Sequence, residues 1–297
     1  MKSLCFAFYL ILQCIFGKGE GAQWCYAVEE CSGCIGPRDW QTLDGSKCGG
    51  PAQSPINVVT GNLKYNSQLK PFTFVGYDKA YNYTMTNNGH SAFIDLSRTS
   101  MSIKDGGLSG TYNIVQLHFH WGSEMSEGSE HSINGERFPM ELHIVHNSSG
   151  GHLAVLGFFY EENTSNNTKY DGIINGLNMI TSKGSIANVT NLRLVDLIPE
   201  SRELELYYRY NGSLTTPNCD EIVTWTLFPN TIKLSKGQLE AFYKNLNFTV
   251  NDKMEENFRP VQKLNGRIVQ TSDAISVLSQ TVTLIIPVLL SLLFFTS

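Results

Sequence analysis

Eight short runs, residues 72–77, 81–86, 93–96, 114–121, 141–145, 153–160, 204–210 and 222–227, are either apolar or alternate apolar with polar side chains, and turn-forming residues separate them. Successive side chains of a strand point to opposite faces, so runs of this length and pattern read as strands. Helical spacing is confined to residues 169–180 and 235–245. A chain of alternating βα units would need a helix after nearly every strand, so an antiparallel arrangement is favoured. The expected class is mainly β (α+β): one large, twisted, mostly antiparallel sheet with short peripheral helices.

The two ends differ from the rest. Lys2 precedes an apolar run over residues 4–16, followed by Gly17, Lys18 and Gly19. This is the layout of a secretory signal peptide, with cleavage expected near Gly21. A membrane anchor is the alternative, but the run is short of the ~20 residues a spanning helix needs. At the other end Ser272-Asp273-Ala274 is followed by a mixed spacer and an uncharged apolar tail over residues 284–295. That order reads as a signal for a glycosylphosphatidylinositol (GPI) anchor with Ser272 as the attachment residue. A spanning helix would normally carry positive charge on its cytoplasmic side, yet Pro287 and Ser291 interrupt the tail and no Lys or Arg follows Arg267. The expected organisation is a signal peptide over residues 1–21, one folded domain over 22–272 and a removed anchor signal over 273–297. Such a chain would sit on the extracellular face of the plasma membrane.

Between these ends about 250 residues run without a low-complexity linker or repeat, which suits a single large core. The net charge of −5 is spread along the chain, and no basic stripe interleaved with aromatics occurs. Nucleic-acid binding therefore has no support, and a small molecule is the expected partner. Cys5 and Cys14 would leave with the signal peptide, so Cys25, Cys31, Cys34, Cys48 and Cys219 remain. In an oxidising compartment these favour disulfides, and an odd number leaves one thiol over. Cys31-Ser-Gly-Cys34 has the spacing of a zinc ribbon or redox pair, but no second such pair exists to complete a metal site. Sequons at Asn82, Asn147, Asn163, Asn166, Asn188, Asn211 and Asn247 mark candidate glycosylated positions.

Two of the runs carry chemistry. In Val115-Gln116-Leu117-His118-Phe119-His120-Trp121 a strand places Gln116, His118 and His120 on one face, so two imidazoles two residues apart can share an ion. In Met140-Glu141-Leu142-His143-Ile144-Val145-His146 the same period groups Glu141, His143 and Val145. The polar loop over residues 122–139 lets the second strand return beside the first. A histidine pair alone is more often structural, but a third changes its meaning. Three neutral imidazoles on adjacent strands hold a tetrahedral zinc with one position open for water, as in catalytic sites. Gln116 and Glu141 then serve as acceptors for the outer N–H groups of ligating histidines. His131 and His146 read as hydrogen-bonded core residues or supports of the ligands, and His152 as a surface residue. No His-Glu-x-x-His, Gly-x-Ser-x-Gly, P-loop or dinucleotide fingerprint is present.

With these residues in view the chain resembles the alpha carbonic anhydrases, nearest their lipid-anchored extracellular type. The resemblance rests on Gln53-Ser54-Pro55-Ile56-Asn57, Asn87-Asn88-Gly89-His90, residues 116–121, Gly128-Ser129-Glu130-His131, residues 141–146 and Ser213-Leu214-Thr215-Thr216-Pro217. These stretches follow the family's order across nearly the whole mature chain. The resemblance implies zinc at the base of a conical cleft, bound by His118, His120 and His143, and the reversible hydration of carbon dioxide to bicarbonate and a proton. It implies that Thr215 accepts a hydrogen bond from the zinc's hydroxide and donates one to Glu130. Val145, Val155, Leu214 and Trp225 would form the apolar pocket for carbon dioxide, Thr215 and Thr216 would help bind bicarbonate, and His90 would shuttle protons. It further implies a Cys48–Cys219 disulfide and, on a weaker alignment, Cys25–Cys34 with Cys31 left over. Bicarbonate transporters are candidate partners at the membrane. The chain departs from the common pattern near Trp40, where a tyrosine often found in the cleft is missing, and at Asn218, where many members have a second proline.

Overall fold

The computed structural model describes residues 24–26, 33–124, 126–249 and 252–274. The expected signal peptide, Cys31 and the apolar tail lie outside the described residues. Fourteen strands are described: β1 (Asn57–Val58), β2 (Lys64–Tyr65), β3 (Phe72–Val75), β4 (Tyr81–Asn87), β5 (Ala92–Asp95), β6 (Ser102–Asp105), β7 (Tyr112–Trp121), β8 (Ser132–Ile133), β9 (Met140–Asn147), β10 (Leu153–Asn163), β11 (Ile186–Leu192), β12 (Tyr208–Gly212), β13 (Val223–Ser235) and β14 (Gln270–Thr271). Two α-helices accompany them, α1 (Asp171–Leu177) and α2 (Lys236–Asn245).

The large sheet runs β11-β4-β5-β7-β9-β10-β13-β12-β14-β2, with β3 and β6 paired beside β7, while β1 and β8 form a separate small pair. Most pairings are antiparallel, as the short-turn spacing predicts, but β10 lies parallel to β13. A parallel neighbour needs a long return, and the chain between these strands carries α1, β11 and β12. The run at 204–210 is displaced from its expected form. Residues Ser201–Leu204 make a 3-10 turn held by a capping box between Glu200 and Glu203, and the strand begins only at Tyr208. β6 and β11 escape the alternation test because each is short or studded with polar residues such as Asn188 and Thr190.

Alternation sets which face of β7 meets the core. Leu117 and Phe119 are fully buried on one face, and Phe119 and Trp121 pack against Phe242 of α2 at ring separations of 5.1 and 5.5 Å. Ser235 caps α2, accepting from the Gln238 N–H while the Gln238 side chain returns to the Ser235 backbone, which fixes where the helix starts. Burial of a ring such as Phe242 is worth about 1.5–3 kcal/mol. The helix thus braces the strand that carries His118 and His120 from behind.

Candidate active site

The register between β7 and β9 places His118 opposite His143 and His120 opposite Glu141. A bulge between Ile114 and Gln116 precedes this pairing, so Gln116 faces Val145. The three histidines converge: His120 Nε2 lies 3.1 Å from His143 Nδ1, and His118 Nε2 lies 3.3 Å from the same atom.

Each ring's far nitrogen meets a group able only to accept or best suited to accept. His118 Nδ1 donates to Gln116 Oε1 at 2.8 Å, His120 Nδ1 to the Asn257 carbonyl at 2.7 Å, and His143 Nε2 to Glu141 Oε1 at 2.7 Å. An imidazole protonated at its far nitrogen presents a lone pair at its near one. Lone pairs facing the His143 Nδ1 lone pair at 3.1 and 3.3 Å repel it unless a cation lies among them. A tetrahedral zinc with bonds of 2.0–2.1 Å separates its nitrogen ligands by about 3.3–3.4 Å. Burial drives the pKa of His118 well below the usual imidazole value, helped by its two histidine neighbours, and lowers that of His120. Neutral rings are the form a metal binds. The cluster His118, His120 and His143 therefore fits a zinc ion.

Glu141 orients this centre. Its Oε1 accepts from both His143 Nε2 and His131 Nδ1 at 2.7 Å, and its Oε2 accepts from the His131 backbone N–H at 2.8 Å. Burial alone would raise its pKa, but the electrostatic pull of His131 and His143 and the hydrogen bonds they donate outweigh that and hold it well below the usual carboxylate range. His131 continues the chain of bonds to the Tyr210 hydroxyl at 2.6 Å, which meets Ser54 Oγ at 2.9 Å. Gly157 stands opposite His143 on β10, where a Cβ would come within 2.8 Å of Leu227 Cδ2 and 3.0 Å of Glu141 Oε1. A side chain there would push on the carboxylate.

Glu130 is fully buried, and its Oε1 accepts from the Arg259 N–H at 2.8 Å. Its Oε2 has no hydrogen-bond partner and lies 3.4 Å from His120 Nε2. Thr215 is buried on the loop that follows β12. The Cys48–Cys219 disulfide ties that loop to the amino-terminal segment, and a second bridge joins Cys25 to Cys34. Val145, Val155 and Trp225 align across β9, β10 and β13, and Leu214 packs against the same apolar cluster. Thr216 is half-buried beside them in sequence, its carbonyl accepting from the Cys219 N–H at 2.8 Å.

His90 has a different setting. Its ring stacks on Trp24 with centroids 3.8 Å apart and an interplanar angle of 14°, and its Nδ1 is buried without a hydrogen-bond partner. Burial, with a smaller push from Lys183, lowers its pKa to about 3. Ser272 is tied in beside β14, its hydroxyl accepting from the Tyr207 N–H and donating to the Glu205 carbonyl. Among the sequons, Asn82, Asn163, Asn166, Asn188 and Asn211 are exposed, and Asn147 and Asn247 are half-buried.

Sequence reasoning missed Asn257 and Arg259. Asn257 accepts from His120 through its carbonyl and from the Trp121 N–H through its side chain, and its amide donates to the His90 and Phe119 carbonyls. The buried Arg259 guanidinium spans Gln53, the Ser54 carbonyl and the Cys48 carbonyl. Both lie in an irregular stretch where no period marks a residue as buried.

The sheet brings together a cluster of three histidines that could hold a metal ion. The family model for eukaryotic-type carbonic anhydrase matches residues 35–273. Carbonic anhydrase 4 of Rattus norvegicus is 38% identical over 281 residues, covering 89% of each chain. Carbonic anhydrase 4 of Mus musculus is 39% identical over 277 residues, again covering 89% of each. Carbonic anhydrase 12 of Homo sapiens is 39% identical over 274 residues, 85% of this chain and 74% of that protein. The chain belongs to the eukaryotic-type carbonic anhydrases, a zinc-dependent enzyme family whose reaction is the hydration of carbon dioxide.

Proposed function

We propose that this chain hydrates carbon dioxide at the extracellular membrane surface, using zinc held by His118, His120 and His143. The observation that carries the reading is the convergence of three near nitrogens whose far nitrogens are all committed as donors. Zinc, when bound, supplies a Lewis acid that makes a nucleophilic oxygen available at neutral pH, carbonic anhydrase being the standard instance.

The protein's own residues do the rest. Gln116, Glu141 and the Asn257 carbonyl hold the three rings in the metal-binding tautomer. Glu130 Oε2 is left open while its Oε1 is occupied, so a Thr215 hydroxyl that turned to donate there would be left only to accept from a group in the site. That fixes the direction of attack. Val145, Val155, Leu214 and Trp225 form a wall that excludes water and receives an apolar, linear substrate, and Thr216 helps hold the anionic product. His90 passes the released proton outward, a role for which an imidazole with pKa near ~6.5 is suited. Because burial, with a smaller push from Lys183, lowers the pKa of the stacked ring to about 3, His90 would carry protons when it leaves that stack.

Secretion and a lipid anchor at Ser272 are supported by the order of residues at the two ends and by the two disulfides, which suit an oxidising compartment. Among the described residues no helix is long and apolar enough to cross a membrane. Stopped-flow hydration of carbon dioxide by the purified protein, with metal analysis of the same sample, tests the chemistry. Turnover tracking one zinc per chain is expected, and a zinc-loaded but inactive protein would refute it. Phosphatidylinositol-specific phospholipase C should release the protein from cells. Retention with residues 273–297 still attached would favour a spanning helix.

A further inference from the structure

Arg209 is buried to 6% exposure on β12, yet its partners are neutral. Its Nε donates to Thr226 Oγ1 at 3.1 Å and its Nη2 to the Gly106 carbonyl at 2.8 Å, while the Phe72 and Tyr207 rings lie 5.7 and 5.5 Å from its guanidinium carbon. Asp105, on the strand leading to Gly106, is engaged by the Thr73 hydroxyl instead. Burial lowers the Arg209 pKa, and among the described residues no carboxylate offsets that effect. Burying a cation without a counter-charge is costly, and a guanidinium retains its charge under all physiological conditions.

The side chain opens onto a cavity of about 310 Å3 lined by Asn66, Gln68, Gly107, Ser109 and Gln270. Gly107 has φ +73°, and a Cβ there would lie 3.6 Å from Arg209 Nη1, so the absent side chain leaves that nitrogen approachable. Asn66 donates to Gln270 Oε1 at 3.0 Å, which turns the Gln270 amide nitrogen, a donor, away from that bond. The neighbouring Tyr210 points its hydroxyl to His131, so alternation sets Arg209 on the sheet face away from the histidine cluster. The lining offers amide, hydroxyl and guanidinium donors around one uncompensated positive charge.

We propose that this cavity binds a small tetrahedral oxyanion of the phosphate class, with Arg209 as the charge that recognises it. Nη1, the nitrogen left approachable, donates to an oxygen of such an ion, and the volume admits the anion with a few waters. The site is separate from the zinc centre and independent of its chemistry.

The test is calorimetric titration of the zinc-loaded protein with inorganic phosphate, after removal of N-glycans because Asn211 stands at the cavity rim. Gln68 is exposed at that rim, so Gln68→Glu supplies the missing carboxylate without emptying the core. Attraction between that carboxylate and Arg209 should weaken phosphate binding about tenfold or more, with carbon dioxide hydration unchanged. Arg209→Met should abolish the binding, and if that variant does not fold, Gln68→Glu decides. Phosphate that fails to bind the unaltered protein, or binds Gln68→Glu equally well, overturns the proposal; the second result is also what binding at the zinc would give.

Discussion

Glu141→Gln keeps the shape of the buried side chain and removes only its charge and one acceptor, so its consequence can be worked out bond by bond. The carboxylate accepts three hydrogen bonds, from His143 Nε2, His131 Nδ1 and the His131 backbone N–H. A glutamine has one oxygen. If that oxygen accepts both ring N–H groups, its NH2 confronts the His131 backbone N–H across the 2.8 Å now spanned by a hydrogen bond. A buried donor left unpaired costs about 1–3 kcal/mol. If the amide flips, its NH2 faces His143 Nε2 instead, and the ring must move its proton to Nδ1, the nitrogen that meets His118 and His120. The metal would then have to displace that proton. Either arrangement weakens the centre, and at about 1.4 kcal/mol per tenfold a cost of 1–3 kcal/mol corresponds to roughly 5–150-fold in zinc affinity. The loss of a partner behind a ligating histidine is commonly 10–100-fold, in the same range. Competition with a chelator at fixed pH measures the affinity, and chemical denaturation of the zinc-free proteins separates it from stability. A Glu141→Gln protein that binds zinc as tightly as the unaltered chain would refute this account of how the rings are held.

His143→Ala should abolish zinc binding and activity while near-ultraviolet circular dichroism still reports a packed core, because a sheet of this size does not need the metal to fold; zinc retained at full stoichiometry with full activity would reject the ligand assignment. His90→Ala should lower kcat far more than kcat/KM in weakly buffered solution, with turnover restored by added imidazole; an unchanged kcat would show that the proton leaves by another route. Trp24→Ala should raise the His90 pKa from about 3 toward its usual value in an NMR titration of the ring. With a depressed folded-state pKa, His90 binds its proton less readily folded than unfolded, so its contribution to stability is present above about pH 6.5 and is lost as pH falls toward 3; Trp24→Ala should shrink that loss.

The parts of this fold that could be read from the sequence are those in which local period and tertiary role agree. β7 and β9 alternate because one face meets the core and the other the site, and α2 shows both its cap and its buried stripe. Where the two disagree, the pattern misleads. β13 runs on to Ser235, well past the apolar run at 222–227, because its pairing with β10 resumes beyond an irregularity. Pro229 sits in that irregularity, between the pairs Phe158–Phe228 and Tyr160–Ile232, where a residue without an N–H is tolerated. The run at 204–210 becomes a strand only from Tyr208, since the turn set by Glu200 and Glu203 ends at Leu204 and a bend follows it. The resemblance gives His90 a proton-carrying role but not its setting, and only the fold brings Trp24, 66 positions earlier in number, onto its ring.

The site shows the same division more sharply. Ligands on neighbouring strands leave a period-two mark, whereas the groups that hold them come from wherever the chain happens to return. Buried polar atoms nearly always have partners, so an unpartnered one points to strain or to function. Three such side-chain atoms occur among the described residues: Glu130 Oε2, His90 Nδ1 and Arg259 Nε. They are physically connected. The Arg259 N–H occupies the other oxygen of Glu130, and Asn257, two residues before it, binds both His120 and the His90 carbonyl. One irregular segment therefore holds His120, orients Glu130 beside the histidine cluster and anchors the backbone of the proposed proton carrier. Nothing in its composition marks it for that task. Its importance follows from which hydrogen bonds it completes and which it leaves open, and that is decided only when the sheet has brought residues 90, 120 and 130 to meet it.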